Sequence, residues 1–558
     1  MILGIDVGGT HTDAVLIEGF TVAKKAKVPT DEKNLLASLL AVTTELLDEG
    51  NVGRLKRVVL STTLSTNAIV QNKVDRVGLV LVSGPGLPPS LLDVGEDASF
   101  LSGYTNHRGI EISGIEPADV SRIGNHFRSQ GIRHAAVIAK FCTRNPGQEI
   151  RIGEMIRDEL DHLSLGHRMS GHLNFPRRIA TTYLNEAVWK RYHRFVTEVL
   201  RFVRERGIQV PIYILKADGG TFEITQSLNF PVQTILSGPA ASIMGILTMG
   251  GCSEDAVALD IGGTTTDISV LADGVPLLEA FGVTIEGHKT LIRGLRTESV
   301  GIGGDSAVRL EQGRLLIGPE REGPAAAFGG PLPTPTDAMI ILGLCDLGDR
   351  PKAEASFLPI AREMGCPVAE AAATVFRETC AKIAGRVRKI IAEINARPVY
   401  TIHELLEGKR LNPRLLCVVG GPAGPMAPEL GRLLGCEVRI PPHAEVANAI
   451  GAALARTTAE LTLLADTERK TLSIAEEGLQ DTISSRFTRE DAVRIACERL
   501  RRKALEMGAS EEDLEIEVVE AQEFNMVREC YTTGKNIRVK VQIKPGSIAG
   551  YYLRNAAC

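Results

Sequence analysis

An eight-residue phrase, DVGGTHTD at Asp6–Asp13, returns as DIGGTTTD at Asp260–Asp267, 254 residues further on and with six of its eight positions unchanged. Each copy has an apolar lead-in (ILGI before Asp6, AVAL before Asp260) and an apolar follow-on (AVLI and ISVL). Apolar run, Gly-Gly, apolar run predicts two strands joined by a tight turn, with an acidic residue at the entrance. A glycine turn exposes backbone N–H groups that no side chain screens, which suits a phosphate chain. The aspartate ahead of it can hold a divalent cation through oxygen or bound water. Two such hairpins facing one another would hold a metal–nucleoside triphosphate from both sides.

A third segment belongs with these two. LLCVVGGPAG, Leu415–Gly424, is an apolar strand that runs into Gly-Gly. In order and character the three segments resemble the phosphate-1, phosphate-2 and adenosine motifs of the actin, sugar kinase and heat-shock ATPase superfamily. The resemblance implies an α/β fold of duplicated ribonuclease H-like lobes around a central nucleotide cleft.

The 558 residues are enough for several domain-sized units with substantial cores. Hydrophobic content of 44% and charged content of 23% are those of an ordinary globular protein. A net charge of −5 and a single Trp give neither the electrostatics nor the stacking surfaces that nucleic acid requires. The longest uncharged run, Ile224–Ser253, contains Pro231, Gly238 and Pro239 among several Gln, Thr and Ser. It predicts a buried strand, a loop at LSGP and a helix rather than a membrane span. Asp6 comes too early for a signal peptide, so the expectation is a cytoplasmic protein. Ten cysteines without a CxxC pair do not form a disulfide or zinc framework, and Cys142, Cys252, Cys417 and Cys436 sit in apolar contexts as reduced core residues. His162, His167 and His172 recur every five residues, a spacing that fits no helix face and predicts a solvated loop rather than a metal site.

Along the chain, a strand at 19–28 and a helix at 31–49 capped by Thr30 precede strands at 58–61 and 77–83. A helix at 117–130 and a strand at 135–140 follow, then a long helix at 181–203 and a strand at 211–216. This alternation predicts a largely parallel sheet. The plan repeats from residue 256, with a Gly/Pro-rich ordered loop at 317–335, a long helix at 369–395 and a short strand at 438–440. In the helix around 444–455, small residues at 447, 451 and 455 share one face and permit close backbone approach to another helix. In the superfamily such a helix crosses between the lobes near the hinge. From Thr457 charges rise. A basic amphipathic helix at 489–507, expected to be a solvated face, and strands at 514–521 and 536–543 predict a small α+β appendage.

The ordered set of segments narrows the resemblance. The chain is similar to the A subunit of the hydantoinase/oxoprolinase family, which includes subunits of ketone carboxylases. The matching segments are GIDVGGTHTDAVL (Gly4–Leu16), STTLSTNAIV (Ser61–Val70), IATTYLNEAV (Ile179–Val188), ADGGTFEI (Ala217–Ile224) and ILSGPAASIMG (Ile235–Gly245). They continue with LDIGGTTTD (Leu259–Asp267), SVGIGGDSAV (Ser299–Val308), PTPTDAMIILG (Pro333–Gly343) and GGPAGPMAPELGRLLG (Gly420–Gly435). The family pattern usually has an aromatic where His11 stands and Gly where Asp305 stands, and the loop from Ile317 to Pro331 lacks the family's cysteine-containing run. Fused oxoprolinases are far longer, and this chain has only their A half. Three units are expected: an N-terminal lobe at 1–178, a second lobe at 179–456 and the appendage at 457–558.

The resemblance implies use of ATP to phosphorylate the carbonyl oxygen of a cyclic amide of hydantoin or 5-oxoproline type, with hydrolysis completed alongside a B-type subunit. An enolate oxygen in a ketone carboxylase is the alternative substrate atom. Asp6 and Asp260 are expected to hold Mg²⁺, while Gly8, Gly9, Thr10, Thr12, Gly262, Gly263, Thr264 and Thr265 hold phosphates and Gly420, Gly421 and Ala423 border the adenosine. Thr62, Thr63 and Asn67, just past a strand's C-terminal end where α/β sheets place ligands, and Asp337 are candidates for the substrate or γ-phosphate side. Asp13 and Asp267 either cap their hairpins or take part in catalysis. A hydroxyl kinase would need an Asp base beside a sugar pocket, which no segment announces. An ATP-gated activator would need paired cysteines, and none are apparent. No membrane or nucleic-acid partner is expected, and homo-oligomerisation is left open.

Overall fold

The structure, a computed structural model, describes residues 1–549 apart from 10, 20, 32, 33, 93, 94, 96, 251–253, 280, 397–409 and 529, without the side chains of 49, 91 and 528. Thr10 and Cys252 therefore lie outside the described residues.

Both sequence copies fold as antiparallel hairpins: Ile2–Val7 with His11–Glu18, and Ala256–Ile261 with Thr266–Ala272. Their registers are the same, Asp6 opposite Asp13 and Asp260 opposite Asp267. Each first strand has a parallel neighbour on its other side, Arg57–Thr62 in the first lobe and Leu415–Val419 in the second. Thr62 and Thr63 thus occupy the place in the first lobe that Gly420 and Gly421 occupy in the second.

The first sheet has six strands, in the order Thr221–Glu223, Ile212–Leu215, Arg57–Thr62, Ile2–Val7, His11–Glu18, Thr21–Pro29. It draws two strands from beyond residue 178, so this sheet and the segment 1–178 are not the same unit. Helices Leu35–Leu46 and Phe175–Glu205 bury Leu39, Val42, Tyr192 and Val196 against it. The second sheet is covered by helices Val368–Asn395 and Ala423–Leu434 through Ile383, Val387, Met426 and Leu430. A four-stranded parallel sheet, Val77–Val82 and His134–Ala139 at its centre, is set into the first lobe.

Between the lobes runs the hinge helix Ala447–Leu454. Its apolar side chains join Ile2, Val15 and Ile17 of the first hairpin to Ala256, Ala258 and Leu415 of the second sheet in one core. The small-residue face does what its composition allows. A Cβ on Gly451 would overlap the carbonyl of Ala241, and one on Gly245 the carbonyl of Ala447, so the hinge helix lies backbone to backbone against helix Ser237–Gly250. Ala455 is just past the helix end, in extended conformation.

The C-terminal unit is an antiparallel sheet in the order Leu479–Thr482, Thr471–Ile474, Glu460–Asp466, Tyr531–Ile543, Ile516–Arg528. Helix Arg489–Glu506 packs on it through Ala492, Ala496, Leu500 and Ala504.

Several local expectations change. Helix Leu35–Leu46 is capped by Asn34, whose side chain accepts from Ala37 N at 3.1 Å, because the Thr30 hydroxyl is paired with Thr12 (2.9 Å). The uncharged run forms a short helix, a 3₁₀ turn at Pro231–Thr234 and helix Ser237–Gly250, with no strand among its described residues. Pro231 there opens a helical turn, where its missing N–H costs nothing. The last hairpin reaches 13 residues a side. Residues 522–525 at its far end are exposed, so the apolar alternation that marks a half-buried strand is missing there. Among the described residues no helix is long and apolar enough to cross a membrane.

The histidines do not lie in a solvated loop. His162 stacks on Trp189, ring centroids 4.1 Å apart, and its Nδ1 is 2.8 Å from the buried Glu186. His167 is buried with Nδ1 2.7 Å from Glu149, and His172 Nε2 meets Lys540 Nζ at 2.9 Å. Side chains more than a dozen residues away enclose them, which a five-residue spacing does not reveal.

Candidate functional site

The strand ends that carry Asp6 and Asp260 meet at the hinge helix. Asn448, on its first turn, donates from Nδ2 to Asp6 Oδ2 at 3.3 Å, and its Oδ1 lies 2.9 Å from the hydroxyl of Ser242. That hydroxyl lies 2.5 Å from Asp260 Oδ2. One Asn and one Ser therefore tie the two entrance aspartates together across the lobes. Asp6 Oδ1 is buried with no protein partner.

Burial, then the negative charge of Asp13, raises the Asp6 carboxyl to about 7. Burial, then Asp260, raises Asp267 to about 7 as well. Asp260 is also raised by burial, against the hydrogen bonds from Ser242 and Asn448. Asp13 is raised by burial and partly restored by Lys27, whose Nζ sits 2.9 and 3.0 Å from its two oxygens. Four carboxyl groups crowded in one cleft favour protons or a cation over free charge. Hard oxygen donors, one buried and unpartnered, fit a divalent cation such as Mg²⁺.

At the first turn, Gly8 N donates to His11 O at 3.1 Å, leaving Gly9 exposed at the tip. Gly8, Gly9, Thr62, Thr63 and Asn67 line one small cavity of about 90 Å³ together with Lys73 and Arg191. At the second turn, Gly262 N donates to Thr265 O at 2.9 Å, and Thr264 and Thr265 are half-buried. The loop GIGGDS folds over this turn: Gly304 N and Asp305 N donate to the carbonyls of Gly262 and Gly263 at 2.9 and 2.6 Å. A Cβ on Gly303 would come within 2.6 Å of both carbonyls, so glycine is needed there. Asp305 backs Gly263 and pairs with Arg321 at 3.2 Å. Gly420, at φ +96°, passes so close to the second hairpin that a Cβ would sit 2.8 Å from Asp260 Oδ1. Gly421 is exposed beside it, and Ala423 begins the following helix, buried.

Three candidates already have protein partners. Thr12 is fully buried and shares its hydroxyl with Thr30, as its counterpart Thr266 does with the carbonyl of Ile302 at 2.7 Å. Thr62 is fully buried, and its hydroxyl accepts from Leu64 N at 3.2 Å, starting the helix that follows. Asp337 is fully buried and accepts from Ala326 N, Ala327 N, Thr334 N and the Thr334 hydroxyl at 2.7–3.0 Å. Its carboxylate pins the Gly/Pro-rich loop and has no capacity left for a substrate. Asn448, Ser242, Lys27, Lys73 and Arg191 are the residues that sequence reasoning did not select. For Asn448 the signal was its place on the hinge helix beside the small-residue stripe.

Two ribonuclease H-like lobes with matched hairpins on either side of a cleft define an actin-like ATPase fold. A family model described as Hydantoinase/oxoprolinase matches residues 178–461, and one for the Hydantoinase/oxoprolinase N-terminal region matches residues 2–160. The chain belongs to the hydantoinase/oxoprolinase family.

Caprolactamase subunit alpha of Pseudomonas jessenii is 25% identical, over 61% of this chain and 54% of that protein. The acetophenone carboxylase gamma subunit of Aromatoleum aromaticum is 24% identical, over 61% and 53%. The 5-oxoprolinase of Saccharomyces cerevisiae is 25% identical, over 88% of this chain and 44% of its own length. The chain thus spans about half the length of these curated relatives. Among solved structures, nucleotide-free acetone carboxylase superposes with a TM-score of 0.74 at 16% identity, covering 99% of this chain and 88% of that one. The ATP-dependent caprolactamase of Pseudomonas jessenii gives 0.71 at 20% identity, covering 97% and 87%.

Proposed function

We propose that this chain is an ATP-dependent activating subunit that phosphorylates the carbonyl oxygen of a cyclic amide and works with a B-type subunit that completes hydrolysis. The observation that carries the reading is the Asp6–Asn448–Ser242–Asp260 bridge, which puts the entrances of both glycine turns at one point of the cleft. An unactivated lactam resists water. Transfer of the γ-phosphoryl to its oxygen releases ADP; water then adds at the carbon, the ring C–N bond breaks as a proton passes to the departing nitrogen, and the resulting acyl phosphate is hydrolysed to carboxylate and phosphate. Phosphoryl transfer of this kind asks the protein mainly for positioning and charge neutralisation.

Asp6 and Asp260 would hold Mg²⁺, whose chemistry is to neutralise the phosphate charge. The N–H groups of Gly9 and Gly263 and the hydroxyls of Thr264 and Thr265 take phosphate oxygens, and Gly420, Gly421 and Ala423 border the adenosine. Thr63 and Asn67, with Lys73 and Arg191 on the same small cavity, serve the γ-phosphate and substrate end. Consumption of ATP goes with a cytoplasmic location.

The test is ATP turnover with hydantoin, 5-oxoproline, caprolactam and simple ketones, with and without the product of a neighbouring B-type gene. Weak ATPase alone and ring opening only with the partner is the expected result. Full ring opening by the isolated chain contradicts the division of labour. The likeness to the acetophenone carboxylase gamma subunit supports a second reading, phosphorylation of a ketone enolate, which turnover stimulated by ketones alone would select.

A further inference from the structure

The basic helix Arg489–Glu506 does not present a simple solvated face. Arg499, Arg502, Lys503 and Glu506 fall on one side at helical spacing, and all four line a cavity of about 460 Å³ between the C-terminal unit and the first lobe. That volume lies in the ~300–1,000 Å³ range of small-molecule sites. The cavity is separate from the nucleotide cleft. Segment 231–237 stands between them, receiving Ala217 N on Gln233 O (2.8 Å) on the cavity side and giving the Ser237 hydroxyl to Thr62 O (2.9 Å) on the cleft side.

Most charges around the cavity answer each other. Asp218 meets Arg293 at 3.3 Å, Lys216 at 3.5 Å and the Thr458 hydroxyl at 2.8 Å, and Glu460 meets Lys540 at 3.0 Å. Arg499 shares Glu477 with Arg502, at 3.4 and 3.8 Å. Two cations stand outside this pairing, one from each wall. Arg168, from the first lobe, has no carboxylate partner among the described residues and lies over the Phe230 ring, 5.8 Å from its centroid. Lys503, from the helix, makes a hydrogen bond to the carbonyl of Glu460 at 3.0 Å and has no carboxylate within ion-pair distance among the described residues. Glu476, on the same cavity, is raised by burial against the attraction of Lys503, with which it forms no ion pair. The apolar part of the lining includes Phe222, Phe230 and Ile292.

We propose that this cavity binds a small organic anion, a carboxylate or phosphate ester with an apolar body, its head group between Arg168 and Lys503 and its body against Phe222, Phe230 and Ile292. Unpaired cations over an apolar floor provide both halves of such recognition. A ligand there bridges the first lobe and the C-terminal unit and stabilises the folded chain in proportion to its binding.

The experiment is thermal shift and titration calorimetry on the full chain with hexanoate, hexyl phosphate and hexanol. Saturable stabilisation by at least one of the two anions, and none by hexanol, is expected; which anion binds identifies the head group. Arg168→Gln and Lys503→Gln each remove one charge-assisted contact and are expected to weaken that binding about tenfold or more. Lys503→Arg should retain it. Circular dichroism and nucleotide affinity, which these residues do not serve, monitor the fold. Failure of both anions to saturate at millimolar concentration, equal binding of hexanol, or unchanged affinity in both Gln variants would overturn the assignment.

Discussion

The two glycine hairpins share a sequence, a strand register and a hinge helix, yet they are held differently. The second is enclosed: Ser242 grips Asp260, Gly420 presses against the same carboxylate, and the GIGGDS loop covers the turn from outside. The first is open at its tip: Gly9 is exposed, although Asp6 is buried with one oxygen that has no protein partner, and the place matching Gly420 and Gly421 is taken by Thr62 and Thr63 at the start of a helix. A cation, Lys27, attends Asp13, whereas Asp267 has no ion-pair partner among the described residues. An enclosed turn is already organised for a fixed ligand, and an open one leaves room for the group that moves. Under the proposed function, the difference would give the second hairpin the holding of the nucleotide and the first the reacting end.

The largest effects should come from the entrance aspartates. Asp6→Asn and Asp260→Asn are each expected to lower turnover by about 10²-fold or more, the order seen when one charge stabiliser is lost. Under the comparison Asp6→Asn retains ATP affinity while Asp260→Asn weakens it, a split that steady-state kinetics and nucleotide titration will show. Equal losses of affinity would remove the distinction between the hairpins.

Next is the joint on which both depend. Gly451→Ala places a methyl group against the Ala241 carbonyl and should destabilise the chain by about 1–3 kcal/mol, measured by denaturant unfolding. Asn448→Ala removes the bridge without crowding the helix. It should cost about tenfold in turnover, one hydrogen bond to a charged group, with little change in melting temperature.

The hairpins and the small-residue hinge were legible because their signals are local: glycine at a turn, apolar alternation, small residues at helical spacing. What was not legible depended on who occupies a side chain. Thr12, Thr62 and Asp337 have the right chemistry for a ligand, but Thr30, Leu64 N and the loop amides of Ala326 and Ala327 already engage them. The partners of Asn448 and Lys27 became visible only when chain segments hundreds of residues apart, or on another strand, came together. The histidines at 162, 167 and 172 show the same limit, since Glu186, Glu149 and Lys540 that enclose them are remote in sequence.

The smallest effect is a pH dependence without nucleotide or Mg²⁺. Asp6 and Asp267 titrate near 7 in the folded chain and near the ordinary carboxylate value when unfolded. Between those values the folded state binds more protons, so stability is fully present below the unfolded value and falls as pH rises through about 7. Melting curves should show this decline, and Asp267→Asn should flatten it.

The most direct measurement is a crystal structure with Mg²⁺ and a non-hydrolysable ATP analogue. The account predicts a nucleotide between the lobes, its phosphates on the turns of Gly8–Gly9 and Gly262–Thr265, with Gly420 and Gly421 beside the nucleoside. A nucleotide bound elsewhere, or none at millimolar concentration, would contradict it.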